Sequence, residues 1–139
     1  MKTVLDTNVV VSGIFFGGVP RTILEAWVDG RFEWFLSPSI FDEYLRTCDR
    51  LSAAHPTLEY QGLLTSIIGH ATLVPDVEPQ RPITADPGDD KFMICAHRTG
   101  AVVVSGDKHL LDASGWRGVT VLRPRAFSVQ LENEGGKAT

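Results

Sequence analysis

The chain has 139 residues, 43% hydrophobic and 22% charged, with a net charge of −4. That composition suits one globular domain with a sizeable core and excludes a disordered or fibrous chain. The acidic balance weighs against broad, non-specific nucleic-acid binding. No apolar run is long enough to span a bilayer and no basic leader opens the chain, so no membrane association and a cytoplasmic location are expected.

Lys2 to Leu5 reads as a buried strand that ends in Asp6-Thr7-Asn8 and feeds at once into a helix through about Phe15. Gly17-Gly18 breaks that helix, and Pro20 is placed as the first residue of the next, which carries Ile23, Leu24, Trp27 and Val28 at helical spacing and closes at Gly30. Phe32 to Leu36 is an aromatic-rich second strand. Ser37-Pro38 then predicts a capped helix bearing Ile40, Phe41, Tyr44, Leu45 and Cys48 on one face, with Asp42 and Glu43 near its start. Leu63, Leu64, Ile67 and Ile68 mark another amphipathic helix, whose stripe is assigned to the core or a homodimer surface.

Ala71 to Val74 is a short third strand, and the proline-rich stretch from Pro75 to Pro87 is a long loop. Asp89 or Asp90 opens a helix that ends at Gly100. Ala101 to Ser105 is a β-branched run without alternation, which fits a strand buried on both faces. Asp107 begins a helical turn, Val119 to Leu122 forms a fifth strand, and Arg125 to Leu131 a last helix. The domain is therefore set at residues 1–131, with a polar tail over 132–139. Alternating strands and helices predict an α/β protein, a single three-layer α/β/α domain with a parallel sheet between helices. Trp27, Trp34 and Trp116 are assigned to the core. Cys48 and Cys95, with no CxxC or Cys/His cluster, are read as reduced core thiols.

Four acids fall where chemistry would use them. Asp6 and Asp107 follow the first and fourth strands, so a parallel sheet brings them to one edge; Glu43 and Asp90 sit on helices that can lean over it. Carboxylates so gathered repel one another, and a bound cation removes the conflict. Oxygen donors without His or Cys favour Mg²⁺ or Mn²⁺ over Zn²⁺. Thr7, Asn8 and Ser105 are candidates to hydrogen-bond the ligands or their water, and Asp86 and Asp89 are auxiliary acids. Taken one at a time, each acid also has a plainer reading: a helix cap for Asp6, Asp89, Asp90 and Asp107, and a solvated face for Glu43.

The motifs Leu5-Asp6-Thr7-Asn8-Val9, Ser37 through Glu43-Tyr44, Asp86-Pro87-Gly88-Asp89-Asp90-Lys91-Phe92 and Ser105-Gly106-Asp107-Lys108-His109-Leu110-Leu111 occur in the order of the PIN-domain family, which the chain resembles over nearly all its length. Its ending, Val121-Leu122-Arg123-Pro124-Arg125-Ala126-Phe127, resembles the close of the prokaryotic toxin branch of that family. The resemblance implies a five-stranded parallel sheet, a Mg²⁺- or Mn²⁺-dependent endoribonuclease with RNA as substrate, and commonly a homodimer. It also implies the toxin of a type II toxin–antitoxin pair, with an antitoxin protein as partner.

The family's acidic positions match Asp6, Glu43, Asp90 and Asp107, and its polar residue after the first acid matches Asn8; Asp90 is preferred to Asp89 because Phe92-Met93 then aligns with the family's helix. Asp6, Asp90 and Asp107 are expected to hold the metal, with Glu43 completing the set or positioning the attacking water. Lys108, His109, Lys91, Arg46 and Arg21 are candidate phosphate contacts. Three rival readings stand beside this one: a PIN nuclease of RNA processing, a PIN module that binds RNA or protein without cleaving, and a small phosphatase. Asp6-Thr7-Asn8 with Gly106-Asp107 also resembles haloacid-dehalogenase phosphatases, but Asn8 stands where those carry a general acid.

Overall fold

The computed structural model describes residues 1–56 and 59–137. Its elements in chain order are β1 (Lys2–Leu5), α1 (Thr7–Phe15), α2 (Gly18–Val28), β2 (Glu33–Leu36), α3 (Pro38–Ser52), α4 (Gln61–His70), β3 (Thr72–Leu73), α5 (Asp90–Thr99), β4 (Val102–Val104), α6 (Lys108–Asp112), β5 (Val121–Leu122) and α7 (Pro124–Lys137). Single 3-10 turns at Pro87–Asp89 and Trp116–Gly118 precede α5 and β5.

The five strands form one parallel sheet in the order β3-β2-β1-β4-β5, flanked by helices in the expected α/β/α arrangement. The chain builds outward from β1 to β3, then returns through α5 to the other side of β1. Strand order therefore reverses beside β1, and in such sheets the carboxyl ends of the strands at the reversal open a crevice. Register fixes what meets there: Thr3, Val4 and Leu5 pair with Val102, Val103 and Val104. Asp6 and Ser105 are the next residues, and the Asp6 N–H continues the ladder to the Val104 carbonyl at 3.0 Å.

Val4, Leu5, Val103 and Val104 are fully buried, as their unalternating β-branched pattern predicts. α5 packs on β1, β2 and β4 through Phe92, Met93, Cys95 and Ala96. On the other side α1 and α2 meet closely at Gly13, where an added Cβ would lie 2.6 Å from Leu24 Cδ1 and 2.9 Å from the Pro20 carbonyl oxygen. No single helix among the described residues is long and apolar enough to cross a membrane; α1 and α2, bent by 96°, pass that test only together, and their apolar residues are mostly buried in the core. Cys48 and Cys95 are unpaired and buried, and burial first of all pushes their thiols up to about 11 and about 12, which makes them poor nucleophiles.

Several expectations shift at this level. α2 starts at Gly18 rather than Pro20, and α7 continues past Leu131 to Lys137, so the polar tail begins as helix. Ser37 occupies the cap position of α3 without a capping bond from its side chain. Asp76, beyond β3, does that work instead, accepting from Ser39 N at 3.1 Å and Ser39 Oγ at 2.5 Å. In the α4 stripe Leu64 and Ile67 are buried, whereas Ile68 is exposed. Trp34 is core; Trp27 and Trp116 are only half-buried.

Tyr44 connects the core to the sheet edge. Its hydroxyl donates to the Leu5 carbonyl and accepts from Trp34 Nε1 at 3.4 Å, all of it buried. This bond fixes α3 against the last residue of β1 and thereby sets Glu43, its neighbour, above Asp6. Tyr44→Phe leaves a buried carbonyl and a buried indole N–H without that partner. A loss of about 1–3 kcal/mol in urea denaturation is expected.

Candidate active site

The carboxyl ends of β1 and β4 form one wall of a cleft of about 360 Å³ lined by Asp6, Thr7, Asn8, Glu43, Arg46, Thr47, Arg50, Asp89 and Asp107. Asp6 stands at the cap position of α1 yet makes no capping hydrogen bond through its carboxylate. That group is held across the sheet instead: Ser105 Oγ donates to Asp6 Oδ2 at 2.6 Å and accepts from the Asp107 N–H at 2.9 Å. Ser105 is fully buried and Asp6 nearly so. One hydroxyl thus sets the position of two acids that lie about a hundred residues apart in the chain. Asp107 also caps α6, accepting from the His109 N–H at 2.7 Å through Oδ1. For Asp107 the cap and the site are the same side chain.

Glu43 reaches the cleft from α3. One carboxylate oxygen accepts from the Thr7 hydroxyl, and the other pairs with Lys91 Nζ at 2.8 Å. Lys91 also donates to the Gly88 carbonyl at 2.6 Å. Its ammonium is thereby committed to Glu43 and the Pro87–Asp89 turn, and it is not the loose phosphate contact expected from the sequence.

Asp89, not Asp90, faces the other acids. Asp90 is 4% exposed and points away, accepting from Thr84 N at 2.8 Å and Ile83 N at 3.3 Å, with Thr84 Oγ1 at 2.9 Å. It pins the proline-rich loop to the start of α5. The sequence alignment on Phe92-Met93 favoured the wrong one of two adjacent acids because a single 3-10 turn, Pro87–Asp89, rotates the chain just before α5 begins. Asp86 belongs to that turn, its Oδ1 accepting from Gly88 N at 2.9 Å.

The electrostatics of the cleft match its geometry. Burial raises the Asp89 carboxyl to about 6, reinforced by the negative charges of Asp107, Asp6, Asp86 and Glu43. Burial also raises Asp6, with Asp107 and Glu43 adding to it and the Ser105 bond opposing. Raised acids favour the protonated fold, so the ionised cluster works against folding once the pH passes about 6, the value for Asp89. In addition Asp89 Oδ2 is buried without any hydrogen-bond partner. A lone carboxylate oxygen out of water costs free energy unless something cationic or protic meets it.

These are hard oxygen donors with excess negative charge and an unmatched oxygen, and the set fits a divalent cation of the Mg²⁺ or Mn²⁺ kind. Among the described residues no three His, Cys, Asp or Glu side chains converge closely enough to enclose an ion as they stand, so closing around one takes side-chain rotation. The remaining candidates separate clearly. Asn8 is exposed on the cleft lining. Arg46 lines it too while pairing with Asp42 at 2.9 Å on the exposed side of α3. Lys108 and His109 are exposed on α6, outside the lining. Arg21 donates to the Gly13 and Ile14 carbonyls at 3.0 and 3.1 Å, closing the end of α1 away from the cleft. Thr47 and Arg50 were not expected; they follow Glu43 at one and two helical turns, and that spacing was the available signal.

The PIN domain family matches residues 2–109, from β1 to the start of α6, a span that contains every acid of the cleft. The chain belongs to the PIN domain family. PIN domains are generally nucleases. Among relatives, the "Uncharacterized protein MJ1680" of Methanocaldococcus jannaschii is 28% identical over 119 residues, covering 80% of this chain and 74% of that one. PAE2754 from Pyrobaculum aerophilum shares the PIN-domain fold in its crystal structure, with a TM-score of 0.60 at 14% identity over 95% of this chain and 89% of the other. A chain of FitAB bound to an IR36 DNA fragment aligns with a TM-score of 0.47 at 16% identity, over 88% and 94%.

The two neighbouring acids of this PIN domain are separable by experiment. Asp89→Asn removes one charge from the repelling set: its metal-free thermal midpoint should rise, and the stabilisation that wild type gains from Mn²⁺ should largely vanish. Asp90→Asn should lower the metal-free midpoint by loosening the loop while keeping the Mn²⁺ response. Differential scanning calorimetry with and without Mn²⁺ checks both.

Proposed function

We propose that the chain is a divalent-metal-dependent endoribonuclease using Mg²⁺ or Mn²⁺. The observation that supports this most is the cleft at the strand reversal, where Asp6, Asp89 and Asp107 gather with Glu43 and a buried Asp89 oxygen has no partner. A bound cation supplies Lewis acidity and positive charge beside the scissile phosphate.

The chain's own residues divide the remaining work. Asp6, Asp89 and Asp107 are the residues that would hold the cation. Ser105 keeps the Asp6 carboxylate aimed and, through the Asp107 N–H, sets the second strand-end acid. Glu43, tied to Thr7 and Lys91, is placed to orient the attacking water and to accept its proton; Lys91 balances the Glu43 charge. Arg46 and Arg50, on the α3 rim of the cleft, are cations within reach of the phosphates on either side.

Hydrolysis on this plan leaves a 3′-hydroxyl and a 5′-phosphate, as the family resemblance implies. The toxin role rests on the closing segment from Val121 to Phe127 and on the intact acid set. A phosphatase of the haloacid-dehalogenase kind is disfavoured, since Asn8 carries no proton to give a leaving group.

Purified protein should cleave end-labelled RNA with Mg²⁺ or Mn²⁺ and not with EDTA, and Asp6→Asn should fall to background. Ser105→Ala, which keeps every acid but frees their orientation, should lose roughly 10–100-fold in rate. A folded Asp6→Asn protein with full activity would sink the assignment. For the toxin role, induced expression should arrest growth in wild type and not in Asp6→Asn; equal growth of both would remove it while leaving the nuclease.

A further inference from the structure

A second and roomier cavity, of about 690 Å³, lies away from the carboxylates, between residues 77–83, the outer side of α5 and the Trp116–Gly118 turn. Arg81, Arg98, Arg117 and His97 line it against one acid, Glu78. Among the described residues the ion pairs are Arg46–Asp42 and Lys91–Glu43, so these three arginines have no carboxylate within 4.0 Å. A chain with a net charge of −4 thus carries an uncompensated cationic groove.

Trp116 lies half-buried at this groove. His97 meets its ring edge-on, with centroids 5.6 Å apart, and the Arg117 guanidinium sits 5.0 Å from the ring centroid. Arg117 is the single described non-glycine residue with positive φ, at φ 47° and ψ 34°. That left-handed conformation is disfavoured for a residue with a Cβ. Glycine stands nearby at 115 and 118, yet an arginine occupies the position that glycine would occupy most easily. Backbone strain of this kind concentrates where it presents a side chain for use.

The groove connects to the cleft. Ile83 lines the groove while its N–H is held by Asp90, and Asp89, next in the chain, lines the cleft. α5 has ten residues, so about 15 Å separates its cleft end from its Arg98 end. That is roughly four rises of a stacked nucleic-acid strand. An aromatic ring beside guanidinium planes stacks unpaired bases, and guanidinium N–H groups bond phosphates; a duplex would use only the second.

We infer that this arginine–tryptophan groove binds the single-stranded RNA that flanks the cleaved bond, with bases stacking at Trp116 and Arg117 and phosphates on Arg81 and Arg98. The inference rests on the ribonuclease reading of the carboxylate cleft.

Fluorescence anisotropy tests it with a labelled RNA strand of about twelve nucleotides, within the usual range of site sizes. The protein is the full chain carrying Asp6→Asn, or wild type in EDTA, each with and without Arg98→Ala plus Arg117→Gly. The double change should raise Kd at least about tenfold and flatten the salt dependence by about 1.4 in log–log slope, two phosphates at about 0.7 each. Glycine accepts the φ of position 117, so Arg117→Gly alone should keep or raise the thermal midpoint, which separates lost binding from lost fold.

Equal affinity and slope with and without the double change, or no binding to the parent protein, overturns the groove and leaves cleavage at the carboxylates untouched. Adenosine monophosphate bound as tightly as the strand, or a hairpin duplex bound as tightly, also overturns it. Loss of strand binding in the double variant, beside a wild type that cleaves no RNA with metal, would uphold the groove and remove the ribonuclease reading instead.

Discussion

The hydrogen bond from the Ser105 hydroxyl to Asp6 is the constraint on which the cleft depends. It joins the carboxyl ends of two adjacent parallel strands, and the same oxygen takes the Asp107 N–H. The sheet register makes the contact, because Leu5 opposite Val104 leaves Asp6 and Ser105 as the next residues on each strand. With both strands buried, a slip of either would carry apolar side chains out of the core. The acids are thus aimed by the packing of the core, through one serine. A site built on strand ends holds its geometry better than one carried on loops.

Two further supports reach the same point from α3. Tyr44 secures that helix to the Leu5 carbonyl, and Thr7 at the head of α1 meets Glu43. Lys91 brings an ammonium to Glu43 from α5. The negative cleft is therefore partly neutralised by the protein itself at Glu43 and left uncompensated at Asp6, Asp89 and Asp107. The raised carboxyls of Asp6 and Asp89 report that asymmetry, and a divalent cation is the ligand that relieves it. The same division distinguishes the acid suited to handling water from the acids suited to holding metal.

Most of the fold was legible in the residues. The unalternating run from Ala101 to Ser105, the strand-to-helix passage at Asp6 and the break at Gly17-Gly18 each follow from period and turn chemistry, and strand alternation with helices implied the parallel sheet. Asp6, Glu43 and Asp107 could be placed together because strand ends and a following helix leave them little choice. The choice between Asp89 and Asp90 could not be made that way. It turns on one 3-10 turn and on hydrogen bonds from Ile83 and Thr84, contacts that no local pattern encodes. The capping of α3 by Asp76, 37 residues from Ser39, escaped for the same reason. Lys91 and Arg21 looked like free cations because sequence displays charge and hides its partners.

The central claim is that Asp6, Asp89 and Asp107 form one cation site aligned by Ser105. A crystal structure grown with Mn²⁺ and recorded at a wavelength where manganese scatters anomalously tests it directly. The account predicts one strong anomalous peak among those three carboxylates, with Asp90 still bonded to Thr84 and Ser105 still bonded to Asp6. A peak ligated by Asp90, or none at saturating Mn²⁺, would contradict it.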